Sequence, residues 1–230
     1  AALFLEACNV IILIVTIGVT AFLFVHVAQY VSLHLKYLTY NVEGLEKRAE
    51  ELYERMLGRK IKRSPEYNCY ADPGFVWCYR ACLKRCLLHH QLIIRWMRRL
   101  QNASEVPIGM AYFVGAIVIA LSLSAIKTGT SLPGTFLTSL LYCLAEIGFL
   151  ALVSLLSQRI IDQNENLRLK MYDCKWYNYP RSISLDVGIF QEMSCRPLCL
   201  TVFGIVTANN DTFASVMNSA YTYYNILMAI

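Results

Sequence analysis

TFASVMNSAYTYYNILMAI, residues Thr212 to Ile230, carries no charged side chain. Yet Ser215, Asn218, Ser219, Thr222, Tyr223, Tyr224 and Asn225 run through it. As an α-helix this stretch reaches about 28 Å, close to the hydrocarbon thickness of a bilayer. A helix facing only lipid has no use for so many hydroxyls and amides. A helix packed on protein along one side and facing water along the other does. The pattern predicts a pore-lining span.

The rest of the chain fits a membrane setting. Of its 230 residues 57% are hydrophobic and 16% are charged, against roughly 25% charged in a typical soluble domain. Mean hydropathy is +0.43. From Ala1 to Leu33 only Glu6 is charged. There is no basic start and no short apolar core of the kind a secretory signal needs, so the expectation is a longer chain whose upstream part is missing. Fourteen of the twenty-one Lys and Arg lie between Lys36 and Arg99. Arg159, Arg168, Lys170, Lys175, Arg181 and Arg196 form a second basic region. The positive-inside rule places both regions in the cytosol. Glu43, Glu46, Glu50, Glu51 and Glu54 are interleaved with the first, which argues against nucleic acid as a partner.

These signals predict an all-α membrane protein whose long transmembrane helices extend into a cytosolic helical anchor. Spans are expected at 1–33, 107–126, 134–157 and 212–230, with an extracellular turn at 127–133. Anchor segments are expected at 34–106 and 158–211. Threaded in that order, both basic regions fall inside and the C-terminus outside. After Leu33 the residues Leu35, Leu38, Val42, Leu45, Ala49, Leu52 and Met56 recur at three- and four-residue steps, a solvated extension of the first helix. Pro65, Pro73 and Gly74 then break it. A helix from about Phe75 to Gln101 leads into the second span. Asp186 to Ala208 reads as one anchor helix, with a break at Asn209–Asn210–Asp211 before the last span.

Cys78, Cys82 and Cys86, followed by His89 and His90, line one helix face at four-residue steps. Structural zinc sites bring ligand pairs together across a turn, so buried or lipid-adjacent thiols are the expectation, with no metal and no cofactor. Cysteines beside cytosolic basic regions also argue against a disulfide framework. Two glycosylation sequons, at Asn102 and Asn210, fall on the cytosolic side. Glu146 is the one acid inside the third span, and an intramembrane acid is either functional or paired. His26 reads as a packing residue. No catalytic constellation emerges, so an enzyme is not expected.

CKWYNYPRS from Cys174, and DVGIFQEMSCRPLCLTVFGIVTANNDTFASVMNSAYTYYNILMAI from Asp186, resemble the C-terminal signature of insect odorant receptors. The matching elements are Cys174 with Trp176–Tyr177, Arg196–Pro197, Phe213, and the closing run from Ser219 to Tyr224. HHQLIIRWMRRLQNASEV before the second span and SQRIIDQNENLR after the third look like the same family. The resemblance implies seven membrane helices, of which these are the fourth to seventh. It further implies a tetrameric, odorant-gated, non-selective cation channel in the plasma membrane of sensory neurons, joined through a cytosolic anchor. A moderate loop and an LMAI end look like an odorant-tuning subunit, which would need co-receptor partners in a heterotetramer. Gustatory receptors share the fold, but their closing Gln-Phe pair is missing here. A transporter or membrane scaffold is the competing class. No repeat supports a transporter, and a scaffold has no need of a polar last helix.

By the closing motif, the apolar constriction of the family corresponds to Ile226, which is therefore the expected gate. Helical spacing adds Ser215, Ser219, Thr222 and Ala229 to the pore-lining face. A polar residue is common in the family where Ala229 stands. The ligand, a small volatile organic molecule, is implied to sit in the outer half of the subunit. Depth and helical phase offer Asn9, Leu13, Ser139, Tyr142, Cys143 and Glu146 as lining residues.

Overall fold

A computed structural model describes residues 2–58, 69–128 and 133–229, with the side chains of 2–17, 20, 128 and 133–135 outside the description. The chain is almost entirely helical: α1 Ala2–Glu43, α2 Leu45–Leu57, α3 Pro73–Thr128, α4 Pro133–Tyr172, α5 Arg181–Cys195 and α6 Asn210–Ala229. A short 3-10 turn, Trp176–Asn178, precedes α5, and a two-stranded hairpin precedes α6. The chain divides into two compact units. The first comprises Ala1–Tyr30, Arg99–Arg159 and Cys199–Ile230; the second comprises Val31–Arg98 and Ile160–Leu198.

The second unit has an apolar core assembled from single faces of five helices. Leu35, Leu38 and Val42 of α1, Leu45 and Ala49 of α2, and Phe75, Tyr79 and Leu83 of α3 are buried. So are Ile160, Leu167 and Met171 of α4 and Ile183, Val187 and Phe190 of α5. The recurrence at three and four residues is what buries one stripe per helix. Cys78, Cys82 and Cys86 lie inside this core as free thiols, and burial raises each of their pKa values. Cys174 is driven furthest, up to about 12, by burial first and then by Cys86, Asp173 and Glu46. Among the described residues no cluster of three His, Cys, Asp or Glu is arranged to hold a metal.

Two local features differ from the sequence reading. The amphipathic extension is not one helix: Gly44 separates α1 from α2, while Gly44 N still donates to Tyr40 O at 3.1 Å. Gly58, at φ 65°, ends α2 in the left-handed conformation that glycine adopts at no steric cost. Pro73 and Gly74 open α3 rather than break a helix. Asp72 caps it, accepting Gly74 N–H at 2.9 Å and the Tyr53 hydroxyl at 2.6 Å, and proline suits the first helical position. Residues 59–68, where Pro65 falls, lie outside the described residues, as do 129–132 of the expected outer turn.

The expected helix from Asp186 to Ala208 is also corrected. Helix α5 stops at Cys195, and Arg196 is extended at φ −76°, ψ 117°. Pro197 follows it, and a residue before proline is pushed out of the helical region. The chain then forms β1 Thr201–Val202 and β2 Val206–Thr207, antiparallel, with Thr201 opposite Thr207. Phe203 and Gly204 make the turn with φ of 50° and 68°.

In the first unit, Ile108, Tyr112, Ala116 and Ile119 of α3 and Leu150 and Val153 of α4 are all buried, and the two helices meet where Tyr112 reaches Ser154 and Gly115 lies against Glu146 and Leu150. Among the described residues, α3 and α4 are long and apolar enough to cross a membrane. Helix α6 is too polar for that test, the property that first marked it out. The apolar start of α1 lies among the side chains outside the description.

Candidate functional site

Helix α6 begins at a designed stop. The Asn209 side chain accepts the Thr212 N–H at 2.9 Å, an N-cap, and Phe213 N donates to Asn209 O at 3.0 Å. The Thr212 hydroxyl donates to Thr207 O at 2.6 Å, tying the helix to β2.

Beyond the cap, α6 has two opposed faces. Phe213, Val216, Met217, Ala220, Tyr224 and Met228 are buried or half-buried. Ser215, Ser219, Thr222, Ile226 and Ala229 are all exposed and fall within a stripe roughly 80° wide on the other side. Each hydroxyl of the stripe donates to its own backbone one turn earlier: Ser215 to Asp211 O at 3.0 Å, Ser219 to Ser215 O at 2.9 Å, Thr222 to Asn218 O at 2.9 Å. With its proton spent, each hydroxyl presents only oxygen lone pairs outward. Such a face can coordinate cations and has little to offer anions.

The ligand candidates fare unevenly. Cys143 is buried, while Ser139 and Glu146 are half-buried. At steps of four and three they share one face of α4, continued by buried Leu150. The Glu146 carboxyl lies over the backbone of Gly115 on α3, with Oε1 2.7 Å from the point where a side chain there would begin. Tyr142 stands at the edge of that face and is exposed. The side chains of Asn9 and Leu13 lie outside the described residues. The sequence reading missed Tyr112, whose buried hydroxyl hydrogen-bonds Ser154 Oγ, which in turn donates to Leu150 O at 2.9 Å. Two hydroxyls in facing apolar stretches were the available signal.

The second unit holds a half-open cavity of about 280 Å³, lined by Glu43, Glu46, Tyr79, Asp173, Cys174 and Tyr179 among others. None of the ligand candidates lines it. Lys170 pairs with Glu43 at its rim at 3.0 Å.

Comparison with known proteins places this architecture. The sequence profile described as 7tm odorant receptor matches residues 2–221. Odorant receptor 56a of Drosophila melanogaster is 23% identical over 212 residues, covering 92% of this chain and 49% of that protein. Odorant receptor 59a of the same species is 25% identical over 150 residues, covering 64% and 37%. The chain thus spans about half, or less, of the curated relatives it matches. Among solved structures, the insect olfactory receptor OR5 from Machilis hrabei in complex with eugenol superposes with a TM-score of 0.56 at 14% identity, covering 92% of this chain and 69% of that one. A second structure of OR5 gives a TM-score of 0.54, again at 14% identity, covering 87% of this chain and 65% of that one. With the profile spanning nearly the whole sequence, the chain belongs to the 7tm odorant receptor family.

Proposed function

We propose that this chain forms the last four membrane helices of an odorant-tuning subunit in an odorant-gated, non-selective cation channel. In this reading residues 1–33, 107–126, 134–157 and 212–230 span the plasma membrane of a sensory neuron. Residues 34–106 and 158–211 form the cytosolic anchor that joins the subunit to co-receptor partners in a heterotetramer. The observation that carries the reading is the exposed hydroxyl stripe of α6, with proton-spent oxygens at Ser215, Ser219 and Thr222 leading to Ile226. In a ring of subunits those oxygens replace part of a cation's hydration shell. The apolar ring at Ile226 closes the path by excluding water.

A small organic odorant is the proposed ligand, held near Ser139, Cys143 and Glu146 with Tyr142 at the rim. The eugenol complex of OR5 supports a ligand of that class. Binding opens the pore by favouring the open state over the closed one. The test is whole-cell current under odorant application, with the full-length receptor expressed alone and with the co-receptor. Odorant-evoked inward current that needs both chains, and that disappears when external cations are replaced by a large organic cation, is expected. Surface-expressed pairs silent to a broad odorant panel, or currents carried by anions, would overturn the reading.

A further inference from the structure

We propose that the hairpin 201–207 is a membrane-inserted bracket whose apolar tip sits in the cytosolic leaflet of the bilayer. The hairpin is held from both sides. Gln101 of α3 donates from Nε2 to the Thr201 carbonyl at 3.1 Å and hydroxyl at 2.5 Å, and its Oε1 accepts the Thr201 N–H at 2.8 Å. Ala208 N donates to Leu200 O at 2.8 Å, and Ile205 N to Val202 O at 3.0 Å. With its base clamped to α3, the tip has a fixed address.

That address is the edge of the apolar part of α3. The Phe203 ring lies over Gly109, so close that a Cβ there would fall 2.5 Å from the ring. Next to it the Glu105 carboxylate lies beside Gly204. Charge therefore borders the tip on one side and the apolar stretch on the other. Val106, Met110, Phe113 and Ile117, at steps of four, three and four, make an exposed apolar stripe on the same helix. Gly109 lies roughly 70° from the middle of that stripe. The tip extends it, because Phe203, Ile205 and Val206 are all exposed and Ile205 is 85% exposed. Phe203 takes a left-handed conformation that a bulky residue rarely adopts, and strain of this kind persists where surrounding contacts enforce it. The continuous apolar surface selects lipid as the occupant over water. A neighbouring polypeptide is the alternative occupant.

The inference rests on reading 107–126 as a span, and it moves the hairpin tip out of the cytosolic anchor segment 158–211 into the adjoining leaflet. The test is photocrosslinking in cell membranes, using the full-length receptor co-expressed with its partner. p-Benzoylphenylalanine replaces Ile205 in one variant, Phe113 in a second as the lipid-facing reference, and Ala220 in a third as the buried reference. Lipid adducts at 205 with a yield comparable to 113, identified by mass spectrometry, are expected. A crosslink from 205 to another polypeptide would assign the tip to a subunit interface. No adduct at 205 beside a strong one at 113 would put it in water. Either result overturns the inference and leaves the span intact. Absence of lipid adducts at 113 itself would remove the span, and the inference with it.

Discussion

Replacing His90 should remove an acid-sensitive element from the core of the second unit. The His90 imidazole is fully buried, its ring centroid 4.7 Å from that of Phe190 of α5 and tilted 31° to it. Neither ring nitrogen has a hydrogen-bond partner among the described residues. Burial lowers its pKa from 6.5 to about 4. Asn164 offsets part of this without reaching hydrogen-bonding geometry, and His89 adds to it. Above pH 6.5 the side chain is neutral in both folded and unfolded states and contributes no pH dependence. Between 6.5 and about 4 the unfolded chain binds a proton that the folded chain refuses. Stability then falls as pH falls, by about 1.4 kcal/mol per pH unit and roughly 3 kcal/mol in all. His90→Leu abolishes that term. It also removes an unsatisfied buried polar group, which should raise stability at neutral pH by about 1–2 kcal/mol. The assay is thermal unfolding of the full-length receptor in lipid nanodiscs from pH 7.5 to 4.5, wild type against variant, with His90→Phe as a second apolar replacement. His89, whose pKa is lowered by burial and by His34, keeps part of the slope in every protein, so the difference between slopes is the quantity read. Parallel pH curves for wild type and both variants would refute the reasoning.

Three further outcomes follow from the geometry. Gly109→Ala places a methyl against the Phe203 ring and should destabilise by about 1–3 kcal/mol. Phe203→Ala in the same chain should restore most of the loss in a thermal-shift assay, and a neutral single variant would mean the ring yields freely. Ile226→Ala should raise basal current or change gating when co-expressed with the partner; unchanged currents with normal assembly would take the gate away from this subunit. Tyr142→Ala should shift odorant potency with assembly intact, and superimposable dose–response curves would remove it from the pocket.

The faces of α6 were readable because hydroxyls at steps of four and three can only line one side of a helix. The long helices were readable from apolar runs and the buried cysteines from their four-residue spacing. The hairpin was misread for a physical reason. Leu200 to Ala208 is apolar enough to pass for a buried helix, and its β signals occupy only seven residues. Thr201, Val202, Val206 and Thr207 are β-branched and flank a Phe-Gly turn, a combination that favours a hairpin. The break at Gly44 was visible too, as a glycine inside an otherwise helical pattern. The seat of Glu146 over Gly115 was not legible, because it depends on the register between α3 and α4. No spacing within either helix encodes that register.

The thiols of the second unit sort themselves chemically. Cys78, Cys82 and Cys86 are buried and Cys174 is held near pKa 12, so almost none of each is thiolate at neutral pH. Cys195, at the end of α5, is exposed. Among the described thiols of this unit, a maleimide would therefore meet exposed Cys195 first and half-buried Cys69 second, beside several dormant ones. The fold thus supplies a native attachment point for a fluorophore at the foot of α5, one that becomes selective within this unit once Cys69 is replaced.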